Sequence, residues 1–146
     1  MIKPITDRNL IQIQNTDFFS HYMLQNKTGT GHLLSYNVLP GLQVFYSNFH
    51  LEEFTFNFEN QGKSLIVLHC HNGNAEWLNS DSSPRSMEEN GLLLLDQLPA
   101  CKTFRFPVQG YHGIAVVFSM DRCKSELVNM FKTVGVDFAA LVQKIQ

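Results

Sequence analysis

Residues 64–77, Ser-Leu-Ile-Val-Leu-His-Cys-His-Asn-Gly-Asn-Ala-Glu-Trp, combine a short apolar run with a turn signal and several side chains that can carry chemistry. Its apolar run, residues 65–68, is too short for a typical helix and is rich in strand formers. The pair Asn72-Gly73 best supplies the positive φ angles of a type I′ turn. The stretch therefore predicts a central β-hairpin. The side chains near its tip that can carry chemistry are His69, Cys70, His71 and Glu76.

The segments on either side of the hairpin also read as strands. Residues 54–58 alternate phenylalanine with polar residues, which is the period of a half-buried strand. Turn signals recur every ~8 to 12 residues, and no helical stretch separates the strands. About eight short strands are predicted, and they form an antiparallel jelly-roll barrel or sandwich. Outside the hairpin they cover residues 32–39, 42–49, 54–58, 92–95, 102–106 and 113–119.

The two ends of the chain differ from this pattern. Residues 1–31 are predicted to be irregular, with Asp17 capping a short helix that has an apolar face. After residue 120 the period becomes helical, and two amphipathic helices are predicted, capped by Asp121 and Asp137, with Gly135 between them. Residues 1–120 thus form a barrel with an N-terminal extension, and residues 121–146 form C-terminal helices of the same structural domain.

Composition excludes several classes of protein. The 11 basic and 13 acidic residues give a net charge of −2 without a basic stripe, which argues against direct nucleic-acid contact by this chain. The three cysteines form no Cys-x-x-Cys pair, and their odd number argues against a disulfide framework. No signal-peptide core is present, and no apolar run approaches the ~20 residues of a membrane helix. A cytoplasmic protein without membrane contact is predicted.

Three segments together resemble the N-terminal effector-sensing half of AraC-type transcription regulators. They are residues 41–50 (Gly-Leu-Gln-Val-Phe-Tyr-Ser-Asn-Phe-His), residues 68–76 around the hairpin, and residues 104–114 (Phe-Arg-Phe-Pro-Val-Gln-Gly-Tyr-His-Gly-Ile). Their order and spacing also agree, and residues 130–141 resemble the helical part before the family's linker. Two departures are Asn74, where relatives usually have arginine, and Glu89-Asn90-Gly91, where they have Pro-Gly-Asp.

The resemblance implies a cupin-like barrel that senses a small molecule and forms a homodimer, with no chemistry of its own and no metal or cofactor. The DNA-reading half, a pair of helix-turn-helix units, is absent from these 146 residues. The chain is therefore expected to be a truncated regulator or a stand-alone sensor, and to reach DNA only through a missing C-terminal domain.

Two sets of residues are predicted to carry this function. Aromatic and polar side chains near the barrel mouth suit a small ligand, and the predicted pocket wall consists of Tyr46, His69, Glu76, Trp77, Tyr111 and His112. The apolar stripes of the helices could pack on the barrel or on a second subunit, and the resemblance implies that such helices contribute to the dimer interface. That interface consists of Leu127, Met130, Phe131, Phe138 and Leu141.

Two alternatives remain open. The pattern His-x-His-x4-Glu supplies metal ligands in cupin enzymes, so His69, His71 and Glu76 define the hypothesis of a small metal-dependent enzyme. Against it, residues 89–101 lack the further histidine that such an enzyme needs. The other alternative is a carbohydrate-binding module that uses Trp77 and Tyr111. Cys70 is expected to be a small core residue, since neighbours on a strand face opposite sides.

Overall fold

The part of the chain that the structure describes contains eleven strands and one helix. The computed structural model describes residues 2–59, 63–78, 81–95, 101–135, 137 and 140, and for residues 101, 122–124, 126, 127 and 131 it describes the backbone only. The elements are β1 (Leu10–Asn15), β2 (Phe19–Asn26), β3 (Gly29–Leu39), β4 (Leu42–His50), β5 (Glu53–Asn57), β6 (Ser64–Gly73), β7 (Ala75–Leu78), β8 (Pro84–Met87), β9 (Leu92–Leu95), β10 (Cys101–Arg105), β11 (Tyr111–Ser119) and α1 (Met120–Thr133).

The strands form two antiparallel sheets. The large sheet has the order β1-β2-β3-β4-β11-β6-β9, and the small sheet has the order β5-β10-β7-β8. The last strand, β11, lies at the inside of the large sheet and pairs with β4 and β6. The predicted class, mostly β with antiparallel sheets, is confirmed.

The core lies between the two sheets and is rich in aromatic rings. Phe49 on the large sheet lies 5.9 Å from Phe56 on the small sheet, measured between ring centroids, and 5.5 Å from Phe106. An aromatic side chain buries about 150–250 Å², so the rings supply much of the driving force for packing the sheets together. The buried rings are Tyr22, Phe45, Phe49, Phe54, Phe56, Trp77, Phe106 and Tyr111.

The predicted central hairpin is wrong, because residues 64–77 form a corner between the sheets. β6 pairs with β11 and β9, whereas β7 pairs with β8 and β10. Gly73 does adopt a positive φ of 85°. A Cβ atom built on Gly73 would lie 2.0 Å from the carbonyl oxygen of Gly110. The glycine therefore lets the corner pass against the turn before β11, a role that the local Asn-Gly signal does not distinguish from a hairpin.

The predicted irregular N-terminal region is also wrong, since residues 10–26 form strands β1 and β2 of the large sheet. Asp17 lies in the turn between them, where the backbone N–H groups of Phe18 and Phe19 donate to Thr16 Oγ1. Phe18 in the turn is 74% exposed, whereas Tyr22 in β2 is buried. The spacing of aromatic residues here satisfies a helix as well as a strand, and pairing with β3 selects the strand.

One helix, not two, is present among the described residues. α1 begins at Met120 with Asp121 in its first turn, and the Gly135 N–H donates to the Lys132 carbonyl at 3.1 Å. Gly135 has a φ of 79°, which confirms it as the residue that ends the helix. The second predicted helix falls outside the described residues except for Asp137 and Ala140, where the Ala140 N–H donates to Asp137 Oδ1 at 3.2 Å. No helix in the described part is long and apolar enough to cross a membrane.

Candidate functional site

The large sheet has an inner face against the small sheet and an outer face on the opposite side. Paired residues on neighbouring strands share a face, so the register places Tyr46, Ile114 and His69 side by side on the outer face. We define the outer face by this row and the rows beside it, which contain His21, His32, Leu34, Tyr36, Val44, Asn48, Val67, Leu92, Leu94, His112 and Val116.

The predicted pocket wall is divided by this register. Tyr46, 37% exposed, lies on the outer face together with His69 and His112. Trp77 and Tyr111 are buried between the sheets. Glu76 is exposed on the small sheet, opposite Arg105 and Ser86. The structure therefore brings Tyr46, His69 and His112 together on one surface and Trp77 and Tyr111 into one interior, but it does not form one pocket from all six.

The residues of the hypothetical metal enzyme are also separated. The register of β6 shifts at His71, so His69 faces outward, Cys70 faces inward and His71 is the extra, exposed residue of a bulge. Glu76 belongs to the other sheet. In the described residues, no group of three or more His, Cys, Asp or Glu side chains is arranged to hold a metal ion. Residues 69, 71 and 76 thus do not converge as the sequence spacing predicts.

Tyr111 carries a hydroxyl group into the aromatic interior. Its ring lies 5.5 Å from that of Phe106 and 6.0 Å from that of Phe49, measured between centroids. Its hydroxyl donates to the Met87 Sδ at 3.9 Å, and thioether sulfur is a weak acceptor. Burial, together with the nearby Cys70, raises the pKa of Tyr111 well above its usual value. A buried phenol with such a weak acceptor is the group that can bond to a polar ligand there.

Two neighbours fix the position of Tyr111. A Cβ built on Gly113 would lie 2.5 Å from the tyrosine oxygen and 2.7 Å from the adjacent ring carbon, so the ring rests on the glycine. Cys70 is fully buried beside Gly113, and its Sγ donates to the carbonyl oxygens of Asn72 at 3.5 Å and Gly73 at 3.3 Å. The complete burial of Cys70 confirms its expected place in the core, and burial raises the pKa of its thiol.

Histidines on the outer face form a feature that the sequence analysis missed. His21 Nε2 lies 2.8 Å from His32 Nδ1, so one ring donates to the other. Burial and the neighbouring His32 lower the pKa of His21. The rings of His50 and His112 meet edge to face at 6.0 Å between centroids. Each pair joins residues of different strands, so only the sheet register reveals it.

The large sheet also contains no Asp, Glu, Lys or Arg in any of its seven strands, although 16% of the chain is charged. This signal is readable in the sequence. In residues 9–51 the charged residues are Asp17 and Lys27, and both fall in turns between strands. The small sheet, by contrast, carries Glu53, Glu76, Arg85, Lys102 and Arg105 in its strands.

A cleft of about 380 Å³ lies where β5 begins and β10 ends. It is lined by Glu52, Glu53, Arg105, Phe106, Pro107, Val108 and Gln109. Gln109 Nε2 donates to Glu52 Oε1 at 2.7 Å, which holds the turn after β10 against the start of β5. None of the predicted pocket residues lines this cleft.

The predicted helical dimer interface is described only in part. Met130 is 54% exposed on α1. The side chains of Leu127 and Phe131, and the whole of Phe138 and Leu141, lie outside the described residues.

Comparisons with known proteins find similar folds but no similar sequences. No family model matches the chain, and no curated protein matches it. Similar solved structures include a transcriptional regulator of the HTH_3 family from Vibrio cholerae, with 11% identity over 59% of this chain and 50% of that chain and a TM-score of 0.45. Ectoine synthase from P. lautus shows 12% identity over 73% and 72%, with a TM-score of 0.46. A variant of oxalate decarboxylase from B. subtilis shows 8% identity over 73% and 30%, with a TM-score of 0.47.

These comparisons correct one prediction. Cupin-fold enzymes, namely ectoine synthase and oxalate decarboxylase, are among the structural neighbours of the chain, and a transcriptional regulator is also among them. The prediction that the domain has no chemistry of its own is therefore wrong, because enzymes are among these structural neighbours. The chain spans half the length of the Vibrio cholerae regulator, and at identities of 8–12% the activity of none of these neighbours is assigned to it.

Proposed function

We propose that the chain is a small-molecule-sensing and dimerisation domain of an AraC-type transcription regulator. The observation that carries the proposal is the placement of the three segments that resemble this family. Residues 41–50 fall in β4, residues 68–76 span the β6–β7 corner, and residues 104–114 lead from β10 into β11. β4, β11 and β6 are hydrogen-bonded neighbours, and Tyr111 is paired with both Phe49 and Gly73. Segments that are distant in the chain thus meet around one residue.

The effector site of this proposal is the interior around Tyr111. The hydroxyl of Tyr111 gains a stronger hydrogen bond when a ligand oxygen or nitrogen replaces the Met87 sulfur as its acceptor. Met87 lies on β8, an outermost strand of the small sheet, and methionine adapts readily to new neighbours. Entry of the effector displaces the Met87 side chain, while Trp77 and Phe106 provide apolar walls.

Sensing requires that the effector bind one arrangement of the domain more tightly than another. α1 follows β11 without a break, and β11 carries Tyr111 at its other end. A change in packing around Tyr111 that shifts β11 would therefore also shift the start of α1. The helix would pass the change to DNA-reading units joined beyond Gln146, altering how a dimer presents them.

Ligand binding is tested by a thermal-shift screen of small polar metabolites against the wild-type chain. An effector is expected to raise the melting temperature, and Tyr111→Phe is expected to weaken its binding about tenfold, the cost of one hydrogen bond. Tyr46→Phe is the matched control, because Tyr46 is on the outer face, and it should leave binding unchanged. Equal binding by the Tyr111→Phe variant would contradict the site.

The regulator role is tested separately with the native gene product. Its intact mass in source cells is expected to exceed the 16.7 kDa of this chain and to include helix-turn-helix units, and the effector should change its affinity for DNA. Conversion of the ligand into a product during incubation with the chain, detected by mass spectrometry, would replace the sensing role with an enzymatic one.

A further inference from the structure

Charged side chains are excluded from the whole large sheet, and the inner face alone does not explain this. A strand packed on one side normally alternates between apolar residues facing the core and polar residues facing water. On the outer face much of that polar half is replaced, because Tyr36, Tyr46, Ile114, Leu92 and Leu94 occupy solvent-facing positions beside the histidines and Asn48. They are 40%, 37%, 41%, 68% and 37% exposed. An exposed apolar surface of this kind marks an interaction site.

The helix covers only one end of this surface. α1 contacts β11 and β6. Leu65, paired with Phe118 on the outer face next to the start of the helix, is 3% exposed. Further along the same two strands, Ile114 is 41% exposed and His69 is half-buried. The centre of the sheet is therefore left open by the described part of the helix.

We propose that the outer face of the large sheet is a dimer interface, and that its occupant is the same face of a second copy of this chain. The strands of this face carry no Asp, Glu, Lys or Arg, and protein interfaces are depleted of charge at their centre and enriched in tyrosine. Two copies related by a two-fold axis bring identical surfaces together, and no carboxylate, lysine or arginine of these strands opposes its own copy in that arrangement. Sheets pack face to face in this manner, about 10 Å apart.

The size of the face agrees with this occupant. Seven strands about 4.8 Å apart, with about five residues of each at roughly 3.3 Å per residue, give a flat area on the order of 500 Å². The accessible area of the protruding side chains is larger than the flat area. A stable interface buries about 800 Å² on each partner, so the outer face approaches the size that one side of a dimer needs.

This interface does not depend on the effector site, because its residues face away from Tyr111. It differs from the helical interface predicted from the sequence, which used Met130 and its neighbours. Ile114→Glu places a carboxylate at the centre of the outer face, and Met130→Glu places one on α1. The two variants therefore separate the two interfaces.

Sedimentation velocity of the wild-type chain between about 1 and 100 µM tests the proposal. We expect a species of twice the 16.7 kDa chain mass. Ile114→Glu should weaken the dimer at least about 100-fold, because a two-fold interface buries the new charge twice. Leu92→Glu, at a 68% exposed position of β9, serves as a second variant if Ile114→Glu does not fold.

The matched control is Leu78→Glu, which changes an exposed leucine in a strand of the small sheet and should leave the dimer intact. A wild-type chain that stays monomeric throughout the range would overturn the proposal. So would a dimer that withstands both outer-face substitutions, and one that only Met130→Glu disrupts would assign the interface to the helix. Effector binding by Ile114→Glu is measured as well. A variant that binds the effector but does not dimerise would show that the site around Tyr111 and the dimer interface are independent of each other.

Discussion

The two sheets share one core but present very different surfaces. The strands of the small sheet carry three basic and two acidic residues, namely Arg85, Lys102, Arg105, Glu53 and Glu76. The seven strands of the large sheet carry none. Since both sheets bury their inner faces in the same aromatic cluster, the difference lies in what their outer faces meet. The small sheet faces water, and the large sheet has the composition of a surface that meets another protein.

Removing one ring from each face of the large sheet should give very different losses of stability. Phe49→Ala deletes a ring that contacts Phe56, Phe106 and Tyr111, and it should lower the free energy of unfolding by about 3–5 kcal/mol. Tyr36→Ala removes a ring that is 40% exposed and should cost about 1 kcal/mol in the monomer. Urea denaturation at low protein concentration measures both. Similar losses would mean that the two faces are not distinct.

The second test breaks the corner that joins the sheets. Gly73→Ala introduces a Cβ at 2.0 Å from the Gly110 carbonyl oxygen and imposes a positive φ on alanine, so we expect a loss of about 3 kcal/mol. Gly135→Ala has a similar φ of 79° but no atom within 4 Å of the new Cβ, and it should cost only about 1 kcal/mol. Thermal or urea unfolding compares them. Equal losses in the two variants would show that the close contact between Gly73 and Gly110 does not contribute to the destabilisation by Gly73→Ala.

The smallest effect concerns protons on the outer face. The lowered pKa of His21 means that the folded chain binds fewer protons than the unfolded chain, whose histidine titrates near 6.5. This contribution to stability is present above pH 6.5 and is lost as the pH falls from 6.5 through the lowered pKa. Solvent screening keeps it below about 1 kcal/mol.

His21→Gln should reduce the acid-side slope of unfolding free energy against pH, measured by urea denaturation between pH 7.5 and about 5. His71→Gln, which replaces a histidine at an exposed bulge position away from His32, is measured alongside as the matched variant. If His21→Gln left the slope of unfolding free energy against pH unchanged, that result would contradict the coupling of His21 to His32.

Alternation of apolar and polar residues was enough to predict the β class and several strands. Predicted strands at residues 42–49, 92–95 and 113–119 match β4, β9 and most of β11. The core positions of Phe54 and Phe56 also follow from that period. The corner at Gly73 could not be predicted, because Asn-Gly favours a hairpin equally well and only the pairing of β6 with β11 excludes one.

The candidate site was harder to predict than the fold. Whether His69 or Cys70 faces inward depends on the register of β6, and the bulge at His71 changes the face of every residue beyond it. The histidine pairs join different strands and have no local signal. The segments without charged residues were visible in the sequence. That they form one uncharged sheet follows only from the topology, which places these strands side by side.

Hydroxyl-radical footprinting of the wild-type chain at low and high concentration tests the difference between the two sheets most directly. The account predicts that Tyr46, Ile114 and Leu92 are oxidised in the dilute chain and protected in the concentrated one, while Leu78 on the small sheet is oxidised equally in both. Oxidation of the outer face that stays the same at both concentrations would contradict it.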